Sequence, residues 1–324
     1  MASIDEEITR LEEATTGDDS ILCSAAVVNI TQKLIAEGIG TFFVVFGGCG
    51  SVVVNKMYGS VTFPGICVVW GLIVMVMVYS VGHISGAHFN PAVTITFTVL
   101  KHFPWKQMPL YIVAQLLGSI LASGVLCLLF NPKPEHFYGT TPVGSAVQSF
   151  ILEIIISYLL MFVISGVATD SRAIGALAGI AVGSTILLNI LIAGPLIFRH
   201  ASQKSVGMRA QHTSQNASRV WARIPNSSTH PDGLLAGVAE DERPAHTICM
   251  SRPLIQVLSA SMNPARSIGP AILMHNFKSI WAYILGPIIG TLAGGLTYNL
   301  VRYTDKPVRE ITQSGSFLKS KTRH

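Results

Sequence analysis

Two copies of the tripeptide Asn-Pro-Ala carry the clearest chemistry in this sequence, at Asn90-Pro91-Ala92 and at Asn263-Pro264-Ala265. Asparagine is a favoured helix N-cap, and proline is pre-set for the first helical position. The copies open two apolar stretches, Phe89–Leu100 and Met262–Met274. Both are shorter than the roughly 20 residues that a helix needs to cross a bilayer. The sequence therefore predicts two half-helices, each beginning abruptly at its asparagine.

Two such helix starts that face each other at the bilayer centre would define a particular kind of site. Each brings about half a positive charge from its helix dipole. Each asparagine caps its own helix with its side-chain oxygen and points its amide N–H₂ into the lumen. Such a site repels cations and protons, whereas a neutral molecule with a lone pair binds briefly and leaves. The pattern predicts a pore for small uncharged solutes.

The composition indicates an integral membrane protein. Of the 324 residues, 50% are apolar and only 12% are charged, and the mean hydropathy is +0.51. Between Lys33 and Phe198 only ten residues are Asp, Glu, Lys or Arg. The net charge of +5 comes from the tails and one further segment, so it does not indicate nucleic-acid binding. No nucleophile–base pair or metal-ligand spacing occurs, so we expect no enzyme activity, metal or cofactor.

Six segments are long and apolar enough to span a bilayer. They are 33–55, 63–82, 108–130, 146–168, 173–195 and 278–301. The first and fourth each hold one glutamate, Glu37 and Glu153, at a similar depth. Each half of the chain therefore has the order helix, helix, half-helix, helix. Because three spans is an odd number, the second half must have the opposite orientation in the membrane. Inverted repeats with broken helices place their site near the midplane.

The predicted fold class is an all-α membrane protein with six transmembrane helices, two re-entrant half-helices and an inverted repeat. The predicted divisions are an acidic tail 1–32, a first repeat 33–130, a second repeat 146–301 and a basic tail 302–324. The Lys and Arg residues of the loops are nearly balanced between the two sides of the membrane, and the basic tail adds an excess to one side. The positive-inside rule therefore predicts that both termini are cytoplasmic. The sequence does not distinguish the plasma membrane from an endomembrane.

Four polar residues near the half-helices are predicted to support the loops that carry them. Glu37 and Glu153 are expected to accept backbone N–H bonds from these loops, with a proton relay as the alternative. His83 and His88 are expected to brace the first loop through hydrogen bonds, with a role as ligands or pH sensors as the alternative. A zinc site would need more ligands nearby.

The residues around both motifs resemble the signatures of the major intrinsic protein (aquaporin) family. The matching runs are His83-Ile84-Ser85-Gly86-Ala87-His88-Phe89-Asn90-Pro91-Ala92-Val93-Thr94 and Ser261-Met262-Asn263-Pro264-Ala265-Arg266-Ser267. The helices, with Gly183-Ser184-Thr185, are similar to plant nodulin-26-like intrinsic proteins. The resemblance covers about 33–195 and 257–320. It implies an aquaporin-like six-helix bundle in a homotetramer, or in a hetero-tetramer with related channels, with one pore per protomer for water, glycerol and similar neutral solutes.

The resemblance also implies a second, narrower constriction, the selectivity filter. The matching positions are Trp70, Ile190, Ala260 and Arg266, a set similar to the first plant subgroup. Trp70 and Ile190 would form an apolar wall, Ala260 would leave room, and Arg266 would donate hydrogen bonds and repel cations. Such a filter favours glycerol-sized polyols, with water passing more modestly. In related plant proteins the serine matching Ser316 is phosphorylated, although Gln313 replaces a basic residue here; a polar disordered tail is the alternative.

One segment, Leu196–Gln256, has no counterpart in the family pattern and is predicted to be disordered. It could be an extracellular loop with Asn216 and Asn226 as glycan acceptors, translated intron or a faulty gene model, or a regulatory plug. The second reading is favoured because excision leaves a loop of ordinary length. The segment enters the loop that positions Ala260 and Arg266, so the alternative function is a non-conducting or regulatory subunit. A secondary transporter is less favoured, because only Glu37 and Glu153 could form a coupling site.

Overall fold

The computed structural model describes residues 2–142, 144–173, 175–193 and 260–302, with side chains from Val27 onward. By the contacts between residues, the chain divides into two units, Met1–Pro195 with Val257–His324 and Leu196–Gln256. All described residues belong to the first unit, and everything below concerns that unit. The predicted division of the chain into tails and repeats stays a prediction.

All regular structure in the described residues is helical. The six long helices are α1 Ala2–Tyr58, α2 Thr62–Ser85, α4 Met108–Phe130, α5 Ala146–Thr169, α6 Gly175–Ala193 and α8 Ile280–Val301. The two short helices are α3 Pro91–Val99 and α7 Pro264–Leu273. Each of the six is long and apolar enough to cross a membrane, α1 through its portion Val27–Tyr58. The predicted six spans and two half-helices are therefore present.

Helix α1 begins well before the predicted first span, which starts at 33. It runs from Ala2 to Tyr58 without a break, so the predicted tail 1–32 is almost wholly helical. The early part contains no proline and only one glycine, Gly17. No residue that strongly breaks a helix interrupts this part, so nothing local ends the helix. The acidic residues of 1–32 show where the apolar span begins, but they do not show where the helix begins.

Small residues bring the helices close together. A Cβ built on any of three glycines would overlap the backbone of the neighbouring helix: Gly118 against Gly38, Gly183 against Gly71 and Gly290 against Ile154. In lipid, such close approach drives helix association, because burying apolar side chains brings no gain over lipid tails. The pairs α1 with α4 and α5 with α8 therefore pack in equivalent ways in the two halves.

A polar cluster joins the ends of α5 and α8 on one side of the bundle. Asp170 follows Thr169, the last residue of α5, and accepts hydrogen bonds from Arg172 Nε (3.0 Å), Arg172 Nη2 (2.7 Å) and the Tyr298 hydroxyl (3.0 Å). Arg302 Nε lies 3.5 Å from the same carboxylate. The hydrogen bonds from Arg172 hold the pKa of Asp170 well below its usual range. The charged form of Asp170 is thus the one that this fold stabilises.

We expect the Asp170→Asn variant to be less stable than the wild type at neutral pH. Because the folded-state pKa is lowered, the contribution of Asp170 is fully present above the unfolded value of about 3.9 and is lost as the pH falls through the folded value. Thermal melting in detergent should therefore show a gap between the two proteins that is constant above about pH 5 and narrows below about pH 4. A gap that is independent of pH would contradict the ionic origin of this contribution.

Candidate functional site

The two half-helices begin as predicted, with asparagine as the N-cap. Asn90 and Asn263 have extended backbone, and proline follows each at the first helical position. The side-chain oxygen of Asn90 accepts a hydrogen bond from Ala92 N at 2.9 Å, and that of Asn263 accepts one from Ala265 N at 2.9 Å. One of the otherwise unpaired N–H groups at each helix start is satisfied in this way.

The two asparagines also join the two loops to each other. The Nδ2 amide of Asn90 donates to the carbonyl of Met262 at 2.7 Å, and that of Asn263 donates to the carbonyl of Phe89 at 2.8 Å. The contact is reciprocal, as the inverted repeat requires. Each amide has two N–H donors, so one remains for the lumen. Sequence reasoning had assigned the whole amide to the lumen and had missed this bond between the loops.

Glu37 fastens the first loop to α1. Its carboxylate accepts the backbone N–H of His88 at 2.9 Å and that of Phe89 at 2.8 Å. It also accepts the Ser85 hydroxyl and the Gln115 amide, both at 2.8 Å. The residue is completely buried. Four donors therefore surround the carboxylate and fix the position of the loop before Asn90.

Glu153 occupies the equivalent place in the second half, with a smaller set of donors. Its carboxylate accepts the backbone N–H of Ser261 and that of Met262, the latter at 2.8 Å. No side-chain donor comparable to Gln115 contacts it among the described residues. Each carboxylate therefore holds its loop by two backbone hydrogen bonds, and only Glu37 is held in addition by side-chain donors, Ser85 and Gln115.

The two histidines differ in their surroundings. The Nδ1 atom of His88 lies 3.1 Å from the Thr94 hydroxyl, and its ring packs against those of Phe97, Phe103 and Tyr111. His83 lies exposed in the last turn of α2, and within the described chain it makes no side-chain hydrogen bond. The expectation that His83 braces the loop stays a prediction, although α2 continues to Ser85 and leaves this side chain exposed.

The four residues predicted to form a filter line one cavity. Trp70 comes from α2, Ile190 from α6 and Arg266 from α7, whereas Ala260 precedes the second loop. All four are buried, with Trp70 4% and Arg266 2% exposed. The same cavity is lined by Asn90 and Asn263. The structure thus brings the filter candidates and the two motifs into one continuous lumen.

Two of the filter candidates have buried donors without a hydrogen-bond partner in the described residues. Trp70 Nε1, Arg266 Nη1 and Arg266 Nη2 have no hydrogen-bond partner in the described part of the chain, although all three atoms are buried. The Arg266 guanidinium carbon lies 5.0 Å from the centre of the Trp70 ring, which is the distance of a cation–π contact. Buried donors without partners are costly, so native proteins rarely keep them without a reason. A solute that presents oxygen acceptors would satisfy them.

The cavity is narrow and otherwise largely apolar. Its volume is about 60 Å³, which is room for about four to six water molecules. Its wall consists of aliphatic side chains, namely Val44, Val74, Val78, Val93, Leu160, Ile164, Val182 and Ile186. His88 lines both this cavity and a wider one of about 380 Å³ that also includes Lys33, His102 and Gln107. Among the described residues no cluster of His, Cys, Asp or Glu is suited to a metal ion.

Several residues that hold this arrangement together escaped the sequence analysis. Ser119 donates to the carbonyl of Ala265 at 2.6 Å, and the Thr96 hydroxyl donates to that of Thr291 at 2.9 Å. Asn189, next to Ile190, donates from Nδ2 to the carbonyl of Ile156 at 2.8 Å. The only signal in the sequence was a polar residue within an apolar segment. The candidate modification site Ser316 and the segment 196–256 lie outside the described residues.

The lumen, the paired caps and the inverted repeat together define a membrane channel of the type with two half-helices. The sequence model of the major intrinsic protein family matches residues 24–198 and 247–298. The chain belongs to this family. As a member of a family of channels it is not an enzyme, and its six apolar helices make it a multi-pass integral membrane protein.

The most similar relatives include plant channels of the nodulin-26-like group. A "probable aquaporin NIP-type" of Nicotiana alata is 54% identical over 98% of this chain and 97% of its own length. Nodulin-26 of Glycine max is 46% identical over 92% of this chain and 88% of its own length. The X-ray structure of the aquaglyceroporin from Plasmodium falciparum has a TM-score of 0.57 and 21% identity, covering 84% of this chain and 96% of that chain. This last likeness shows the fold alone.

Proposed function

We propose that the chain is a passive channel for glycerol and similar small uncharged polyols, and for water, that excludes ions and protons. The observation that carries the proposal is the set of unpaired buried donors, Trp70 Nε1 and the two Arg266 Nη atoms, in a lumen with an aliphatic wall. A polyol matches both the apolar wall and the unpaired donors. Its carbon atoms pack against Trp70 and Ile190, while its hydroxyl oxygens accept hydrogen bonds from Arg266.

Ion exclusion follows from the charges that the lumen presents. The starts of α3 and α7 contribute positive dipole ends beside Asn90 and Asn263, and Arg266 adds a full positive charge. The carboxylates of Glu37 and Glu153 are each engaged by backbone donors, so neither is free to coordinate a cation. A cation or proton entering the lumen would therefore meet positive potential without compensating ligands.

The assembly and placement of the channel are further parts of the proposal. We expect a homotetramer, or a hetero-tetramer with related channels, surrounded by membrane lipid. Large apolar side chains such as Leu121 and Leu128 remain exposed on the single chain and would face lipid or a neighbouring copy. Both termini are placed in the cytoplasm by the basic tail. The membrane is the plasma membrane or an endomembrane, and Ser316 is a candidate phosphorylation site.

A second candidate function is a non-conducting or regulatory subunit. The observation that favours it is the gap between the two segments that the family model matches, 199–246, which ends 14 residues before Ala260 in the second pore loop. Against it stands the position of that loop: Ala260 is buried, and the next residue, Ser261, donates its N–H to Glu153. The loop after the extra segment thus keeps the contacts that the channel needs.

Removal of Leu196–Gln256 tests the two candidates against each other. Vesicles with the full chain and vesicles with the shortened chain are compared by osmotic swelling in glycerol, at equal protein content and with protein-free vesicles as the control. We expect both proteins to speed swelling at similar rates, because the contacts of the second loop are complete in the full chain. Conduction by the shortened form alone would favour the non-conducting subunit. If neither form conducts glycerol or water, the assignment of the filter fails.

A further inference from the structure

The indole of Trp70 lies directly on the backbone of α1 at Gly48. A Cβ built on Gly48 would overlap three atoms of the indole, Cδ2, Cε2 and Cε3. These atoms belong to the central part of the ring system, so the ring meets the helix with its face. Trp70 reaches this position only because residue 48 has no side chain.

Nothing in the local backbone of α1 explains a glycine at this position. Gly48 lies in the middle of the helix and does not have a positive φ. A glycine inside a helix costs about 1 kcal/mol relative to alanine. Gly50, two residues further on, differs, because a Cβ there would meet Leu126 Cδ2 at 3.4 Å, an ordinary contact. Both glycines carry this cost, but only at Gly48 does the Trp70 ring occupy the space that a Cβ would need.

The indole also has a charged neighbour in the cavity that it lines. The Arg266 guanidinium lies 5.0 Å from the ring centre, and both side chains are buried. Trp70 thus contacts the backbone at Gly48 and lines the same cavity as Arg266. A side chain at position 48 would displace the ring away from α1, and the displacement would change the shape of the filter that the ring forms with Arg266.

We propose that Gly48 is a specificity-determining residue of this channel: it positions Trp70 against α1 and thereby sets the width of the filter for solutes the size of glycerol. The proposal rests on the proposed function, in which Trp70 and Arg266 select the solute. Gly48 itself is a positioning residue, because it acts through the indole. With Gly48, helix α1 also takes part in selecting the solute, although it contributes none of the four filter side chains.

The test compares Gly48→Ala with the wild type and with Gly50→Ala as the matched control on the same helix. Glycerol and water permeability are measured on the same vesicles. We expect Gly48→Ala to lower the ratio of glycerol to water permeability by about tenfold, the lower end of what one methylene group changes in a tight site. Gly50→Ala should leave the ratio unchanged. An unchanged ratio in Gly48→Ala, or an equal fall in both variants, would overturn the proposal.

A second comparison separates positioning from a general defect in folding. In the Trp70→Ala background the added Gly48→Ala change should have no effect on the ratio, because the ring that it displaces is absent. An equal effect in both backgrounds would overturn the proposal, since Gly48 would then act without Trp70.

A spectroscopic readout keeps the test valid if the wild type conducts no glycerol, an outcome that would refute the proposed function. The chain has four tryptophans, so the fluorescence of Trp70 is obtained as the difference between the wild type and Trp70→Phe. Gly48→Ala should change this difference spectrum, whereas Gly50→Ala should not. An unchanged spectrum in Gly48→Ala would show that the indole has not moved and would overturn the positioning role.

Discussion

Vesicles that contain the Arg266→Ala variant are expected to leak protons and potassium, whereas wild-type vesicles stay tight. The guanidinium is buried at the filter, and its two Nη atoms have no partner within the described chain. Removing it deletes a full positive charge from a narrow lumen and also frees the space beside Trp70. We expect cation flux to rise by about tenfold or more, equivalent to about 1.4 kcal/mol of barrier per factor of ten.

The Arg266→Lys variant separates the charge from the shape of the guanidinium. Lysine keeps the positive charge but lacks the planar group that lies over the Trp70 ring and donates from two Nη atoms. We therefore expect Arg266→Lys to exclude ions as the wild type does, while its glycerol permeability falls. The measurement is proton and potassium flux with a fluorescent dye, together with swelling in glycerol. If Arg266→Ala vesicles are as tight to ions as the wild type, the electrostatic account of the filter is wrong.

The second large effect is expected from Glu153→Ala. The carboxylate accepts the N–H groups of Ser261 and Met262, and the side chain is completely buried. Each buried N–H that loses its acceptor costs about 1–3 kcal/mol, so the free energy of unfolding should fall by about 2–6 kcal/mol. Since these bonds position the loop before Asn263, conduction should be lost as well.

The corresponding change in the first half provides the comparison. Glu37→Ala removes the same type of acceptor from His88 and Phe89, and in addition strands the donors of Ser85 and Gln115. It should therefore lower thermal stability in detergent more than Glu153→Ala does. The Gln variants keep one acceptor oxygen and should fall between wild type and alanine. Equal stability of Glu153→Ala and wild type would contradict the role of this carboxylate.

The sequence predicted the features of the site that residue type and symmetry determine. An asparagine before a proline reads as a helix start, and the structure has α3 and α7 begin at Pro91 and Pro264. The two glutamates were recognisable because each is the only acidic residue inside an apolar span, at similar depth in the two halves. Patterns of this kind are local or repeat along the chain, so no knowledge of tertiary contacts is needed.

The remaining features depend on contacts that a sequence does not display. Gln115 binds Glu37 across 78 positions and Ser119 binds Ala265 across 146, so their partners emerge only from the packing of the helices. Gly47, Gly48 and Gly50 look alike in the sequence, and only the rotation of α1 decides that Gly48 meets Trp70. The exposure of His83 likewise depends on the last turns of α2, which the sequence does not display.

The most direct test of the account is the flux of glycerol into vesicles that contain the full chain, measured by light scattering with and without imposed proton and sodium gradients. The account predicts that glycerol entry is faster than in protein-free vesicles, is the same with and without the gradients, and is accompanied by no proton leak. Entry that requires either gradient, or glycerol and water permeability no higher than in protein-free vesicles, would contradict the claim that this chain is a passive channel for small uncharged solutes.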